Sequence, residues 1–403
     1  MKKKLFGFIL GIALVLFLAA CGGEDDPAGE EVDASSDGDR TVTIATLADM
    51  TGATADTGTP YAEGQGHYFE YLESQGGVDE LNIEYLSEDY GYEISEAQRI
   101  YQQFRDRDGV EAILGWGTGD TEALRQQIAT DKIPFMSASY SENLKNKDES
   151  PYNFFAAASY SDQARTILSW IKENHDGDNP TVALLYNDTG FGRSPIEDAK
   201  AYAAEIGVEV VDEQVIDLGA TDAQSQLLNM EDNDPDYAII QQTWNATTTI
   251  LRDAQTLGID TQFIGLNQAV GEGLIDQAGE VSEGFMGVLT HALPYEEVDG
   301  MAEYKEFLES KDMTVDDINM QHVAGWVVAK VMVEGVKNAA EATDGEITGE
   351  DILAGLESIE GFETGGLAAP VTFSDVHAGT EQVRLGVVEN GEWKAITDYI
   401  SFE

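Results

Sequence analysis

The sequence predicts an α/β protein built from two doubly wound, parallel-sheet lobes joined by a multi-strand hinge. Three observations lead there. From Thr41 onward, short apolar segments rich in β-branched residues alternate with amphipathic helical ones. The alternation runs twice, once to about Met136 and again from about Tyr160. The chain has 403 residues, too many for one ordinary domain and suited to two, and its 42% hydrophobic content can fill their cores.

The elements follow in order. Thr41–Leu47, Asn82–Leu86, Val110–Leu114 and Ile133–Met136 read as strands. Between them, Tyr61–Gln75, Glu93–Arg107 and Thr121–Thr130 read as helices; the second carries Ile94, Ala97, Ile100, Tyr101 and Phe104 at helical spacing. The second series has helices over Ser161–Asn174, Gly192–Ile206 and Ala246–Leu257. Its strands are Thr181–Tyr186, Val208–Val215, Tyr237–Ile240 and Phe263–Ile264. A long helix is expected over Asn319–Ala340, and strands after Gly365–Gly366. Such βα alternation implies parallel sheets with helices on both faces.

The first forty residues stand outside this pattern. Lys2, Lys3 and Lys4 precede an uncharged apolar run, Leu5–Ala20, which is short for a membrane span. This is the layout of an export signal. Leu18-Ala19-Ala20-Cys21 resembles a bacterial lipobox, and Cys21 is the only cysteine, so it has no partner for an internal disulfide. Residues 22–40 are polar, acidic and poor in large apolar side chains, which suits a flexible tether.

The charge is extreme: 76 Asp and Glu against 22 Lys and Arg, for a net charge of −54. Nucleic acid and anionic lipid surfaces both need basic partners and are excluded. The acids are spread along the chain, which points to a solvated surface in a saline, halophilic setting where salt screens self-repulsion.

No catalytic constellation emerges, so the protein is not read as an enzyme and no cofactor or metal is expected. None of the histidines at 67, 175, 291, 322 and 377 has a partner at metal-ligand spacing. There is no G-x-S-x-G elbow, and with so many acids a carboxylate pair carries no information. Gly115-Trp116-Gly117-Thr118-Gly119 joins a strand to a helix but lacks the lysine of a phosphate loop. At such a junction the free N–H groups and helix dipole favour an anionic ligand group. Equally, Thr118 or Asp120 can serve as a plain helix cap.

Several ordered segments resemble the type I periplasmic binding proteins, in the branched-chain amino acid ABC transporter branch of substrate-binding lipoproteins. They are Thr51–Gly58, Gln75-Gly76-Gly77-Val78, Ala112–Thr121, Ile133–Ser139, Ala183–Gly192 and Thr261–Gly265. The resemblance implies a signal peptide over 1–20 and a lipidated Cys21 with its tether to residue 40. One lobe is then expected from 41–158 plus 291–364, and the other from 159–290 plus 365–403.

It also implies a site between the lobes. Thr118 and Gly119 resemble the positions that hold a ligand carboxylate, and Ser139 and Ser141 those that hold carboxylate and ammonium. Thr57 sits where relatives place an aromatic lid. Phe191 and Trp244 resemble second-lobe aromatics, with a one-residue ambiguity between Trp244 and Thr243. Asn267 stands where amino-acid receptors carry an acid paired with the ammonium, and Asn lacks that charge. Asp120 is the other group able to meet an ammonium. The implied function is capture of a small carboxylate, such as a branched-chain amino acid, for ABC permease subunits in the membrane. A non-amino organic acid, an amide, or a sensory role with a separate signalling chain are the alternatives. The expected location is the outer face of the cell membrane, with Cys21 carrying the lipid anchor.

Overall fold

A computed structural model describes residues 40–78 and 81–402. The expectations for the signal peptide, Cys21 and nearly all of the tether lie outside these residues. Arg40 already begins the first strand.

The elements of the first half are β1 (Arg40–Ala48), α1 (Ala55–Ser74), β2 (Leu81–Asp89), α2 (Ile94–Gln103), β3 (Ala112–Gly115), α3 (Thr118–Asp131), β4 (Phe135–Ser137) and β5 (Asn153–Phe154). Its sheet has the order β2-β1-β3-β4-β5, with every pair parallel. Next come α4 (Tyr160–Asn174), β6 (Thr181–Tyr186), α5 (Gly190–Arg193), α6 (Ile196–Ile206), β7 (Glu209–Val215), α7 (Gln224–Glu231), β8 (Tyr237–Gln241), α8 (Trp244–Leu257), β9 (Gln262–Gly265), α9 (Glu272–Ala278) and β10 (Met286–Leu289). The chain continues through α10 (Asp299–Ser310), α11 (Met320–Ala342) and α12 (Gly349–Glu357) to β11 (Arg384–Glu389) and β12 (Glu392–Ala395). The second sheet has the order β12-β11-β10-β9-β8-β6-β7. It is parallel from β7 to β10 and ends in an antiparallel hairpin, β11–β12. Asn390 and Gly391 turn that hairpin with φ of 57° and 76°, the left-handed pair that a two-residue turn requires.

Each sheet has its own core. Val42, Ile44, Ile113 and Phe135 pack with α10, α11 and α12 in the first. That core also takes in Leu367, Val371 and Phe373, beyond the boundary at 364 expected from sequence. Leu184, Ile239 and Ile264 lie on one face of the second sheet, and Ala183, Ile240 and Leu289 on the other. The long helix α11 crosses α1 at very close range. A Cβ on Gly64 would stand 2.0 Å from the His322 carbonyl, and one on Gly325 2.0 Å from the Tyr61 carbonyl. Glycine at both positions lets the backbones meet.

Two elements differ from the sequence reading for reasons of proline chemistry. Helix α1 starts at Ala55, ahead of the expected Tyr61, and carries Pro60 in its second turn, where the ring removes one i→i−4 hydrogen bond without ending the helix. The expected helix over Gly192–Ile206 is instead two, α5 and α6, broken at Ser194-Pro195.

Candidate functional site

The carboxyl ends of the strands in both sheets converge on a small void. Thr54, Thr57, Tyr92, Trp116, Gly117, Thr118 and Ala138 line it from the first lobe, and Tyr160, Phe191, Thr243 and Gln268 from the second. Strand β3 ends at Gly115, and α3 begins at Thr118 behind an extended Gly117. This turn sets Thr118 in the wall, where its Oγ1 accepts a 2.8 Å hydrogen bond from the Ser139 hydroxyl.

Trp116 is held by a polar chain. Its Nε1 donates to Thr54 Oγ1 at 2.8 Å, and that hydroxyl donates to Asp49 Oδ2 at 2.7 Å. Tyr61 packs on the indole with ring centroids 5.2 Å apart. Across the void, Phe191 meets Tyr160 edge-on at 5.4 Å, and its carbonyl accepts from Gln241 Nε2 at 3.0 Å. Tyr160 closes the gap between the halves by donating to the Ala138 carbonyl at 3.0 Å.

The two walls touch. A Cβ on Gly190, at the start of α5, would lie 3.6 Å from Thr118 Cγ2 and 3.8 Å from the Gly119 backbone. Ser194 Oγ reaches Ser141 Oγ at 3.3 Å, and the Asn245 N–H donates to Asp56 at 3.1 Å.

Among the described residues, no lysine, arginine or histidine lines the void. An acidic side chain beside it is Asp120, at the third position of α3, just beneath Gly117: a Cβ on that glycine would lie 2.3 Å from Asp120 Oδ1. Tyr90 donates to Oδ1 at 2.8 Å, while Oδ2 is buried without a partner. Burial pushes the Asp120 carboxyl up to about 7, with the nearby Asp49 charge adding to the rise. The Tyr90 hydroxyl and the N–H groups of Gly117 and Asp120 pull the other way. The α3 N-terminus, for which the sequence left an anion cradle and a plain helix cap equally open, thus already faces its own carboxylate.

The sequence-derived residues are therefore placed as follows. Thr57, Thr118 and Phe191 line the void, and Ser139 is bonded to Thr118. Gly119 and Asp120 lie just behind the wall. Ser141 is buried outside the lining and donates to Glu122 at 2.7 Å. The ambiguity in the second lobe falls to Thr243, while the Trp244 ring packs against Gly273. Asn267 lines an adjoining compartment behind Trp116 and Gln268. Sequence reasoning missed Thr54, Trp116 and Ala138, which lie inside segments it had quoted, and Tyr160, which it left just before a helix. It also missed Tyr92, where Tyr90-Gly91-Tyr92 between strand and helix is the one visible signal. Tyr92 has φ of 59°, unusual for a bulky residue.

Among the described residues, no group of three or more His, Cys, Asp or Glu could hold a metal ion, and no helix is long and apolar enough to cross a membrane.

Comparison with known proteins agrees with this geometry. A family model described as periplasmic binding protein matches residues 41–392. A branched-chain amino acid ABC transporter protein from Thermus thermophilus, solved with bound valine, superposes with a TM-score of 0.84 at 26% identity, over 90% of this chain and 97% of that one. An ABC transporter substrate-binding protein from Aeropyrum pernix gives 0.82 at 30% identity, over 89% and 96%. A fatty acid ABC transporter substrate-binding protein from Thermomonospora curvata gives 0.79 at 21% identity, over 90% and 92%, a likeness of fold. Comparison with curated proteins gives no match. With two parallel-sheet lobes, a void where their strand ends meet and a family match over most of its length, the chain belongs to the type I periplasmic binding proteins, the solute-binding receptors of ABC transporters.

Proposed function

We propose that the protein captures a zwitterionic α-amino acid, with branched-chain aliphatic side chains favoured, and delivers it to ABC permease subunits. The observation that carries this reading is the unpartnered Oδ2 of Asp120 behind a wall that contains no cation. A carboxylate ligand without an amino group would be buried beside a second carboxylate, a costly arrangement. A ligand ammonium supplies the missing charge partner. The Thr118 and Ser139 hydroxyls suit the ligand carboxylate, and Trp116, Phe191 and Tyr160 suit an apolar side chain. The valine bound by the Thermus thermophilus protein supports the same choice.

The remaining parts of the reading are attachment to the outer face of the membrane through lipid on Cys21, binding without catalysis, and a saline setting. The lipobox-like Leu18–Cys21 segment and the charge support the first and last. Calorimetry with L-leucine and its deaminated 2-keto analogue tests the ligand. Leucine binding that collapses in Asp120→Asn is expected, whereas binding of the keto acid alone would overturn the amino-acid reading. Release of Cys21→Ser from the membrane fraction tests the anchor.

A further inference from the structure

Trp116 stands between two spaces. It walls the void, and it also walls a second compartment behind it, where Tyr61, Tyr140, Met320 and Ala324 are among the other walls. Among the described residues, only Trp116 and Gln268 line both. As the lobes stand, each space has room for about one water molecule, so a ligand side chain needs a wall to give way.

The walls differ in what can move them. Tyr160, Phe191, Thr243 and Gln268 belong to the second lobe and recede when the lobes part. That gain is limited, because closure brings Tyr160 to the Ala138 carbonyl at 3.0 Å and Gly190 against Thr118. A longer side chain must therefore pass Trp116. Hinge motion makes no room there, since the groups that hold the indole lie in its own lobe. Its Nε1 donates to Thr54 Oγ1 at 2.8 Å, and the one hydroxyl proton of Thr54 goes to Asp49 Oδ2 at 2.7 Å, so the Thr54 oxygen faces the indole as an acceptor. Asp49 is wholly buried, and its oxygens also take the N–H groups of Gly52 and Thr54, at 2.5 and 2.8 Å. The backbone of α1 runs beside the ring at Gly58, where a Cβ would stand 3.3 Å from Trp116 Cε2, and Tyr61 packs on it. Swinging the indole aside would leave its buried N–H without a partner, which is unfavourable in an interior.

We propose that Trp116 sets the length limit of the ligand side chain: the braced indole stops it short of the second compartment, so that valine and leucine are accepted and phenylalanine is refused. The inference rests on the amino-acid reading of the void. Thr54 is then a positioning residue that acts through Trp116.

Calorimetry on the full chain with L-valine, L-leucine and L-phenylalanine tests it, using the unaltered protein, Trp116→Ala, Trp116→Phe and Thr54→Val. Melting curves establish which variants are folded, and Trp116→Phe carries the test if Trp116→Ala is not. The unaltered protein is expected to bind leucine about a hundredfold more tightly than phenylalanine, or better. Trp116→Ala should move that ratio toward phenylalanine by about ten- to two-hundredfold, and Trp116→Phe by less. Thr54→Val frees the indole and should move the ratio the same way by a smaller factor, with Thr54→Ser restoring it. Phenylalanine bound by the unaltered protein as tightly as leucine overturns the inference and leaves the amino-acid reading intact. So does an unchanged ratio in a folded Trp116 variant. Equal weakening of leucine and phenylalanine in Thr54→Val overturns the positioning role. If none of the three amino acids binds the unaltered protein, the amino-acid reading itself falls, and the inference with it.

Discussion

The Asp56 carboxylate, near the start of α1 in one lobe, accepts a 3.1 Å hydrogen bond from the backbone N–H of Asn245, in the first turn of α8 in the other. A reciprocal contact lies nearer the crossing segments. Glu272 of α9 accepts at 2.9 Å from the N–H of Met320, the first residue of α11. Each lobe thus caps a helix of its neighbour. Thr243 and Asn245 lie together at that end of α8, so the Asp56 contact borders the void wall. Met320 and Gln321 likewise wall the second compartment. Burial raises both carboxyls, Glu272 to about 7, and the N–H groups they accept from pull the other way; opening the lobes would leave the two helix ends uncapped by them.

Asp56→Asn and Glu272→Gln should each favour the open form. A lost helix cap is worth about 0.5–2 kcal/mol, so affinity for a captured amino acid should fall about two- to thirtyfold per substitution. Small-angle scattering of the ligand-free double variant should show a larger radius of gyration than the unaltered protein. Unchanged affinity and radius would mean that the caps do not bias closure.

Asp120 gives binding a pH dependence whose sign is fixed by its environment. Burial raises the carboxyl from 3.8 to about 7, so the folded, ligand-free protein holds a proton there that the unfolded chain releases. This group therefore favours the fold more at pH 4 than at pH 8, and that contribution is lost as pH rises from about 4 to about 7. A ligand ammonium beside Oδ2 would pull the pKa back down. Amino-acid affinity should then fall as pH drops below about 7, with proton release on binding, measurable by calorimetry in buffers of different ionisation enthalpy. Asp120→Asn should weaken binding and remove the proton release together. Proton release that persists in the variant would assign it to another group.

Much of the fold was legible because periodicity reports burial, and burial builds the sheets. Thr181–Tyr186 reads as a continuous apolar run and is an interior strand, β6, in the structure. The site was less legible because its residues are polar or aromatic and sit at strand ends, where no period holds. Thr118 was visible through its Gly-rich turn, and Phe191 through the resemblance. Tyr160 and Gln268 are brought to the void only by the packing of the lobes. Asp120 illustrates the limit most clearly. Its position in α3 was readable, but whether it caps the helix or faces a ligand depends on Tyr90, thirty residues away.

A buried ionic cluster stands where the lobes join. The Asp162 side chain is fully buried and takes Lys145 at 2.8 Å on one oxygen and Arg165 at 2.8 Å on the other. Lys145 also reaches Glu381 at 2.9 Å. Removing one member of such a cluster leaves buried charge without its counterpart. Asp162→Asn should destabilise the protein by about 3–5 kcal/mol in denaturant unfolding. A change under about 1 kcal/mol would show that solvent reaches the cluster and screens it.

Salt should act on the rest of the surface in the opposite sense to its usual effect on ion pairs. Most exposed pairs, such as Lys132–Glu350 and Arg99–Glu96, contribute little and weaken further as salt rises. Against them stands a net charge of −54, so that most carboxylates face one another rather than a cation. Repulsion among them extends over the Debye length, about 10 Å at 0.1 M salt and about 3 Å at 1 M. Screening therefore removes far more repulsion than attraction, while the contacts of the buried Asp162 side chain are less affected. The melting temperature should climb as NaCl rises from tens of millimolar to molar levels, and level off only when the Debye length nears contact distance. Substituting a patch of exposed acids with their amides should reproduce part of the gain at low salt. A melting temperature that is flat or falls across the series would mean that this surface carries its charge without repulsive strain on the fold.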